Sequence, residues 1–258
     1  MKKVWITALE RDEAKVSLTM KLAKQYGLDG NGHFWVDDLK NMAWLSPKDE
    51  LLDINNVMWI ILSSEKALTK ESVRYALSLL TLSVQAKRGN AFPIALVELT
   101  GRIDLETLPT PLQGCNILSL NDPSIGAKLI AQANLPLSAE KPDYRFDIHA
   151  NPALGVWFEV GPGPGLTWSG ALFGVQGGEI DAHGVGPSGA LPEKTVLEYP
   201  TKGLKLQLGE NEFTAWAVQN VLKADSSYYV RVQKIPESVI FGSYTQEIDM
   251  DVNVMRLI

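Results

Sequence analysis

The sequence predicts an α/β domain built on a parallel sheet, followed by an all-β domain of antiparallel strands. Three observations carry this. Short, continuously apolar runs alternate with helix-period patterns through the first half, as strands buried on both faces of a parallel sheet require. The helical period ends after the polar, proline-bearing passage LPLSAEKPDYRFD at 135–147. Beyond it, short strand-like runs are divided by glycine, proline and asparagine.

The elements follow in order. VWITAL (4–9), VMWIIL (57–62) and FPIALVEL (92–99) read as buried strands, with HFWVDD (33–38) and NILSL (116–120) as weaker strands. Glu13 to Tyr26 sets Val16, Leu18, Met20, Leu22 and Ala23 in a mostly helical pattern. Residues 70–88 place Val73, Leu77, Leu80 and Val84 at three- and four-residue steps, the apolar stripe of a helix. Strand, helix, strand, repeated, gives helices on both faces of a parallel sheet. This is a doubly wound, five-stranded, flavodoxin-like arrangement. In the second half, VWFEV, LTWSGALFGV, EIDAHGV, TVLEY, LKLQL, EFTAWAV and YYVRVQKI read as strands of an antiparallel sandwich or barrel. IDMDVNV (248–254) alternates strictly, with Ile248, Met250, Val252 and Val254 on one face. The expected domains are residues 1–140 and 141–258.

Composition narrows the function classes. The 258 residues are 45% apolar and 21% charged, as in a folded soluble protein. A net charge of −6 without a basic stripe argues against nucleic acid as a partner. No apolar run reaches the length of a membrane span, and the N-terminal apolar stretch is broken by Glu10, Arg11 and Asp12. The single cysteine, Cys115, excludes an internal disulfide and suits a reducing compartment. These readings lead to an expected cytoplasmic location.

Several chemical-looking motifs have ordinary readings. GVGPSG (184–189) matches a dinucleotide fingerprint in letters, but Ala190, Leu191 and Pro192 follow instead of a helix, so it reads as a glycine-rich hairpin loop. GPGPG (161–165) reads as a turn. His33, His149 and His183 have no metal-ligand spacing to each other or to Cys115, and no metal site is expected. Trp157, Trp168 and Trp216 read as packing residues.

One carboxylate has two physical readings. Glu71 sits where the third strand hands over to a helix. Locally it suits the helix dipole, worth ~0.3–1 kcal/mol. Arg74 could pair with it, and Thr69 or Ser64 could cap the helix. In an open parallel sheet, however, ligands bind in the crevice at the carboxyl ends of the strands. The loops ALERD (8–12), WVDDLK (35–40) and SSEKALTKE (63–71) all open there. They offer a cation in Arg11, an aromatic platform in Trp35, an acid in Asp37, a hydroxyl in Ser63 and the Glu71 carboxylate. This set suits a nucleotide or sugar.

From Lys2 to about Leu120 the chain resembles the Toll/interleukin receptor (TIR) domain family. KKVWITA is similar to its first strand, and FWVDDLKNMAWLSPKDELLDINNV (34–57) to its second strand, variable loop and the helix leading to strand three. WIILSSEKALTKESVRYAL is similar to its third strand and the Lys-Glu helix start. FPIALVEL and LPTPLQG are similar to its fourth strand and the connection after that strand. In NAD-cleaving members a glutamate at this helix start is catalytic, and the motif maps it onto Glu71. The resemblance implies cleavage of the nicotinamide–ribose bond, with NAD as substrate and no resident cofactor, and self-association through the TIR-like domain. Arg11 would meet phosphate, Trp35 a ring, and Ser63 a ribose hydroxyl. Ala67 stands where many catalytic members carry tryptophan, and LKNMAWLSP lacks the family's usual loop glycine. Two alternatives accompany this reading. One is a non-catalytic adaptor with a ligand-sensing β domain, and the other an enzyme like the nucleoside deoxyribosyltransferases.

Overall fold

Five strands of the first half pair in parallel: β1 (Lys2–Ala8), β2 (Leu28–Phe34), β3 (Asn56–Ser64), β4 (Ile94–Thr100) and β5 (Asn116–Ser119), in the order β2-β1-β3-β4-β5. The computed structural model describes residues 1–135, 142–245 and 251–258. The chain divides into two compact units, Met1–Ala139 and Glu140–Ile258.

In the first unit the sheet is covered by helices α1 (Glu13–Gln25), α2 (Lys48–Leu52), α3 (Glu71–Arg88) and α4 (Ile125–Gln132). Alternation along the strands sorts the core into two layers. Val4, Ile6, Met58, Ile60, Leu62, Ala95 and Val97 pack with Ala23 of α1 and Leu129 of α4. Trp5, Thr7, Trp59 and Ile61 therefore face the other way, the side on which a right-handed β3–α3–β4 crossover must lie. Asp12 starts α1 by accepting from the Lys15 amide at 3.0 Å. α3 ends at Gly89, whose φ of 86° suits glycine. Eleven residues of α3 are buried, from Val73 to Val84, so it is a central helix rather than a surface one.

The second strand lies earlier than its sequence position suggests. β2 ends at Phe34, and Trp35 to Asp38 form the loop after it. The glycine- and asparagine-containing LDGNGHF carries little strand propensity. Pairing with β1 overrides it, and Gly32 is required because a Cβ there would stand 2.0 Å from the Ile6 carbonyl oxygen.

The second unit is two antiparallel sheets. One is β10 (Thr201–Leu208), β11 (Asn211–Val218), β8 (Ala171–Gln176), β13 (Ser238–Ser243) and β14 (Val252–Arg256), in that spatial order. The other is β6 (Tyr144–Asn151), β7 (Gly155–Pro162), β12 (Ser226–Gln233) and β9 (Glu179–Pro187). Phe146 and Phe158 of the second sheet meet Phe241 and Phe173 of the first at centroid distances of 4.8 and 5.3 Å, so the sheets form a sandwich.

Several sequence readings change here. TVLEY forms no strand; its segment is tied down by the Asn220 side chain, which accepts from Glu198 N and donates to Val196 O. β6 lies partly inside the passage read as a polar connection, and β13 (SVIFGS) lies outside the runs that read as strands. GVGPSG is not a hairpin loop but the end of β9, where a Cβ at Gly186 would stand 2.5 Å from Pro192 Cβ. In β14, Met255 is buried while Val254 is 53% exposed, and Ile248 and Met250 lie outside the described residues. LTWSGALFGV yields a strand only from Ala171, with Trp168 bridging to Leu222. Among the described residues, no helix is long and apolar enough to cross a membrane.

His183 of β9 supports this sandwich as a neutral ring. Its Nδ1 lies 2.8 Å from the hydroxyl of Tyr228, which is 0% exposed and whose proton needs an acceptor. Burial, with a smaller contribution from Lys202, pushes its pKa down to about 4 from 6.5. Between those two values the unfolded chain binds the extra proton and the folded chain does not. Stability from this residue is therefore full above about pH 6.5 and falls as the pH drops towards 4. The measurement is a proton NMR titration, the resonance assigned with His183→Gln. A midpoint near 4 is expected, and one at the ordinary histidine value would overturn the assignment.

Candidate functional site at the carboxyl ends of the strands

The sequence-chosen residues fall on three loops, after β1, β2 and β3, and tertiary hydrogen bonds join these loops. The Trp35 amide donates to the Ala8 carbonyl at 2.8 Å, and the Leu9 amide to Leu62 at 2.9 Å. A Glu10 carboxylate oxygen accepts from the Ser64 amide at 3.2 Å, tying the end of β1 to the end of β3. The Ser72 hydroxyl donates to Asp37 at 3.0 Å, tying the loop after β2 to the first turn of α3.

Glu71 is the first residue of α3 and is exposed. Among the described residues its carboxylate makes no hydrogen bond or ion pair. The neighbouring Ser72–Asp37 bond brings Asp37 close to the same helix start. Lys66 and Lys70, both exposed, precede Glu71 in the chain. The helix is not capped as its sequence suggests. Lys70 occupies the cap position without a side-chain bond. The Ser64 hydroxyl instead accepts from Ala67 N, supporting a short turn of 3-10 helix at Ala67–Thr69, and Thr69 donates back to the Lys66 carbonyl. The Arg74 guanidinium donates to the carbonyls of Leu68 and Thr107.

The remaining predicted residues differ in availability. Ser63 is 0% exposed and its hydroxyl donates to the Ser64 carbonyl at 2.9 Å, so its position is structural in this arrangement. Arg11 is exposed, 3.8 Å from Glu13 and 5.5 Å above the Phe34 ring. Trp35 is half-buried, and its indole N–H is buried without an acceptor among the described residues. It stands at the end of a row of rings: Trp5 stacks on His33 at 5.9 Å, and His33 lies 6.4 Å from Trp35. Burial lowers the His33 pKa. Met42, in left-handed backbone, and Trp44 are buried beside this loop's return to α2.

Glu10, Ser64 and Ser72 were not chosen from the sequence. Glu10 lies within ALERD, so the loop was visible but not which of its acids turns towards β3. Ser72 is one residue past Glu71, and only the fold brings it to Asp37. An open cleft of ≈ 690 Å³ adjoins β4 and β5, lined by Glu98, Arg102 and Asp104 among others, and none of the sequence-chosen residues borders it. In the second unit, His149 is not isolated. Its Nε2 lies 2.6 Å from Glu159, and Asp147 completes a cluster whose donor atoms lie within 4.8 Å of one another. Cys115 is buried, its thiol pushed up to about 11 by desolvation, which suits a packed, unreactive group.

No protein-family model matches the chain, and no curated protein matches it either.

Proposed function

We propose that the first unit is a TIR-like domain of flavodoxin-like topology that binds a nucleotide at the ends of β1, β2 and β3 and cleaves the nicotinamide–ribose bond of NAD. The observation that carries the reading is the position of Glu71 beside the topological switch point. The strand order reverses between β1 and β3, and in open α/β sheets the crevice at that reversal is where ligands bind. The order β2-β1-β3-β4-β5 is also that of the flavodoxin-like folds.

The chemistry asked of the site is modest. The C1′–N bond breaks, nicotinamide leaves as a neutral ring, and positive charge develops at the ribose. Water then adds to that carbon and loses its proton to solvent. The Glu71 carboxylate faces the developing charge, as carboxylates do in glycoside hydrolysis. Arg11, Lys66 and Lys70 supply cations for the pyrophosphate, Asp37 an acceptor for a ribose hydroxyl, and Trp35 a ring edge. Ser63, turned into the sheet, does not take part.

The test incubates purified protein with NAD, and separately with nucleosides, at low and high protein concentration and follows free base. Release of nicotinamide from NAD is expected, rising steeply with concentration if self-association completes the site. Release from deoxynucleosides alone would move the assignment to the deoxyribosyltransferase type. A second reading is an interaction module. Absence of turnover at every concentration would select it.

A further inference from the structure

We propose that Asp147, His149 and Glu159 form a binding site for a divalent transition-metal ion of the zinc type in the β sandwich. This inference is independent of the reading of Glu71.

The site begins with strand geometry. Asp147 and His149 are two apart on β6, so both point to one face, and Asp147 stands opposite Glu159 of β7 in the register. Their neighbours Phe146, Ile148, Phe158 and Val160 point to the other face, into the aromatic layer between the sheets. Three potential ligands thus converge on the outer face of a paired, hydrogen-bonded hairpin, the kind of rigid element that holds donors in fixed positions. His149 is partly exposed at the edge of the cluster, whereas the two carboxylates are buried. Asp147 is 7% exposed and Glu159 3%.

Two buried carboxylates need compensation, and hydrogen bonds supply part of it: Asp147 accepts from the Ile148 amide at 2.7 Å and Glu159 lies 2.6 Å from His149. The imidazole offers one positive charge when protonated, whereas a divalent ion offers two and accepts all three donors. One nitrogen and two carboxylate oxygens suit zinc or a neighbouring transition metal, while calcium requires six to eight oxygens. In a tetrahedral zinc site, bonds of about 2.0–2.2 Å set the donors about 3.3–3.6 Å apart. The present donors lie within 4.8 Å, with His149 Nε2 and Glu159 at 2.6 Å, so side-chain rotations that part this pair and draw in the wider ones complete the set. On binding, the proton shared between His149 Nε2 and Glu159 passes to solvent and the metal takes its place.

The surroundings also fit a metal centre. The second Glu159 oxygen is already held from outside the cluster, by the Gly189 amide at 2.8 Å and the Ser227 hydroxyl at 2.7 Å. The Ser227 oxygen in turn accepts from Arg145 at 2.9 Å. These contacts orient Glu159 with its other oxygen towards His149, as outer-shell partners orient metal ligands. An ion here would clamp β6 to β7 and, through Gly189, hold the chain that follows β9.

The experiment dialyses the full chain against zinc and against calcium, counts bound metal per chain, and titrates zinc with the Asp147→Asn, His149→Gln and Ser227→Ala variants. One zinc per chain is expected, with little calcium, and a rise in melting temperature on zinc addition. Removing a ligand should weaken zinc binding by more than about 100-fold, and Ser227→Ala by about 10–100-fold, since it only orients Glu159. Ser227→Ala keeps the test decisive should a ligand variant fail to fold. Substoichiometric zinc, equal uptake of calcium, or unchanged affinity in the folded variants would overturn the site.

Discussion

Glu71→Gln is expected to slow release of nicotinamide from NAD by ~10²–10³-fold while leaving KM nearly unchanged, the range found when one preorganised electrostatic group is removed from an active site. Glutamine matches glutamate in volume and removes only the charge. Because Glu71 is exposed at a helix start, its loss should cost no more than the ~0.3–1 kcal/mol of its dipole interaction. Folding and chemistry are therefore separable in this variant. Equal rates for the two proteins would remove Glu71 from the reaction. A parallel fall in helix content would show a structural role instead.

Trp59→Ala should destabilise the first unit by about 3–5 kcal/mol, the usual cost of emptying a large buried aromatic site. Trp59 is 0% exposed on the central strand β3, with β1 on one side and β4 on the other. Its indole N–H donates to Thr7 Oγ1 at 2.8 Å, so truncation also leaves a buried hydroxyl without that partner. Trp59→Phe keeps most of the ring and loses the bond, and should cost markedly less than the alanine variant. Denaturant unfolding followed by helical circular dichroism reads this unit, since all four α-helices of the described residues lie within it. A loss below about 1 kcal/mol for Trp59→Ala would mean the site collapses freely around the missing ring.

The contrast between the two residues shows how unevenly the sequence speaks. VMWIIL is legible as a buried strand because a strand covered on both faces must be apolar throughout. Likewise, 70–88 is legible as a helix because its stripe repeats at the helical period. LDGNGHF and SVIFGS have no such signature. The first gains its structure from the edge of β1, and the second from neighbours on both sides, β8 and β14. TVLEY fails in the opposite sense, for its composition suits a strand but side chains, the Thr195 hydroxyl against Val185 of β9 and Asn220 against Val196 and Glu198, hold it in place of a strand ladder. The site divides in the same way. Glu71 could be singled out because the chain itself carries a strand through a short bridge into a helix there. Ser63 also looked like a site residue, and only packing turned its hydroxyl into the sheet.

By itself the sequence determined the order of the elements, the change from parallel α/β to antiparallel β, and the loops that open at the ends of β1 and β3. All of these follow from periodicity and chain connection, which are local. Tertiary structure decided the bonds between Glu10 and Ser64 and between Asp37 and Ser72. It also decided the meeting of Asp147, His149 and Glu159. The physical reason is that a side chain's partner is set by strand register and sheet order. Register pairs residues 12 positions apart, as Asp147 and Glu159 are, or 54 apart, as Glu10 and Ser64 are, with no trace in the residues between them.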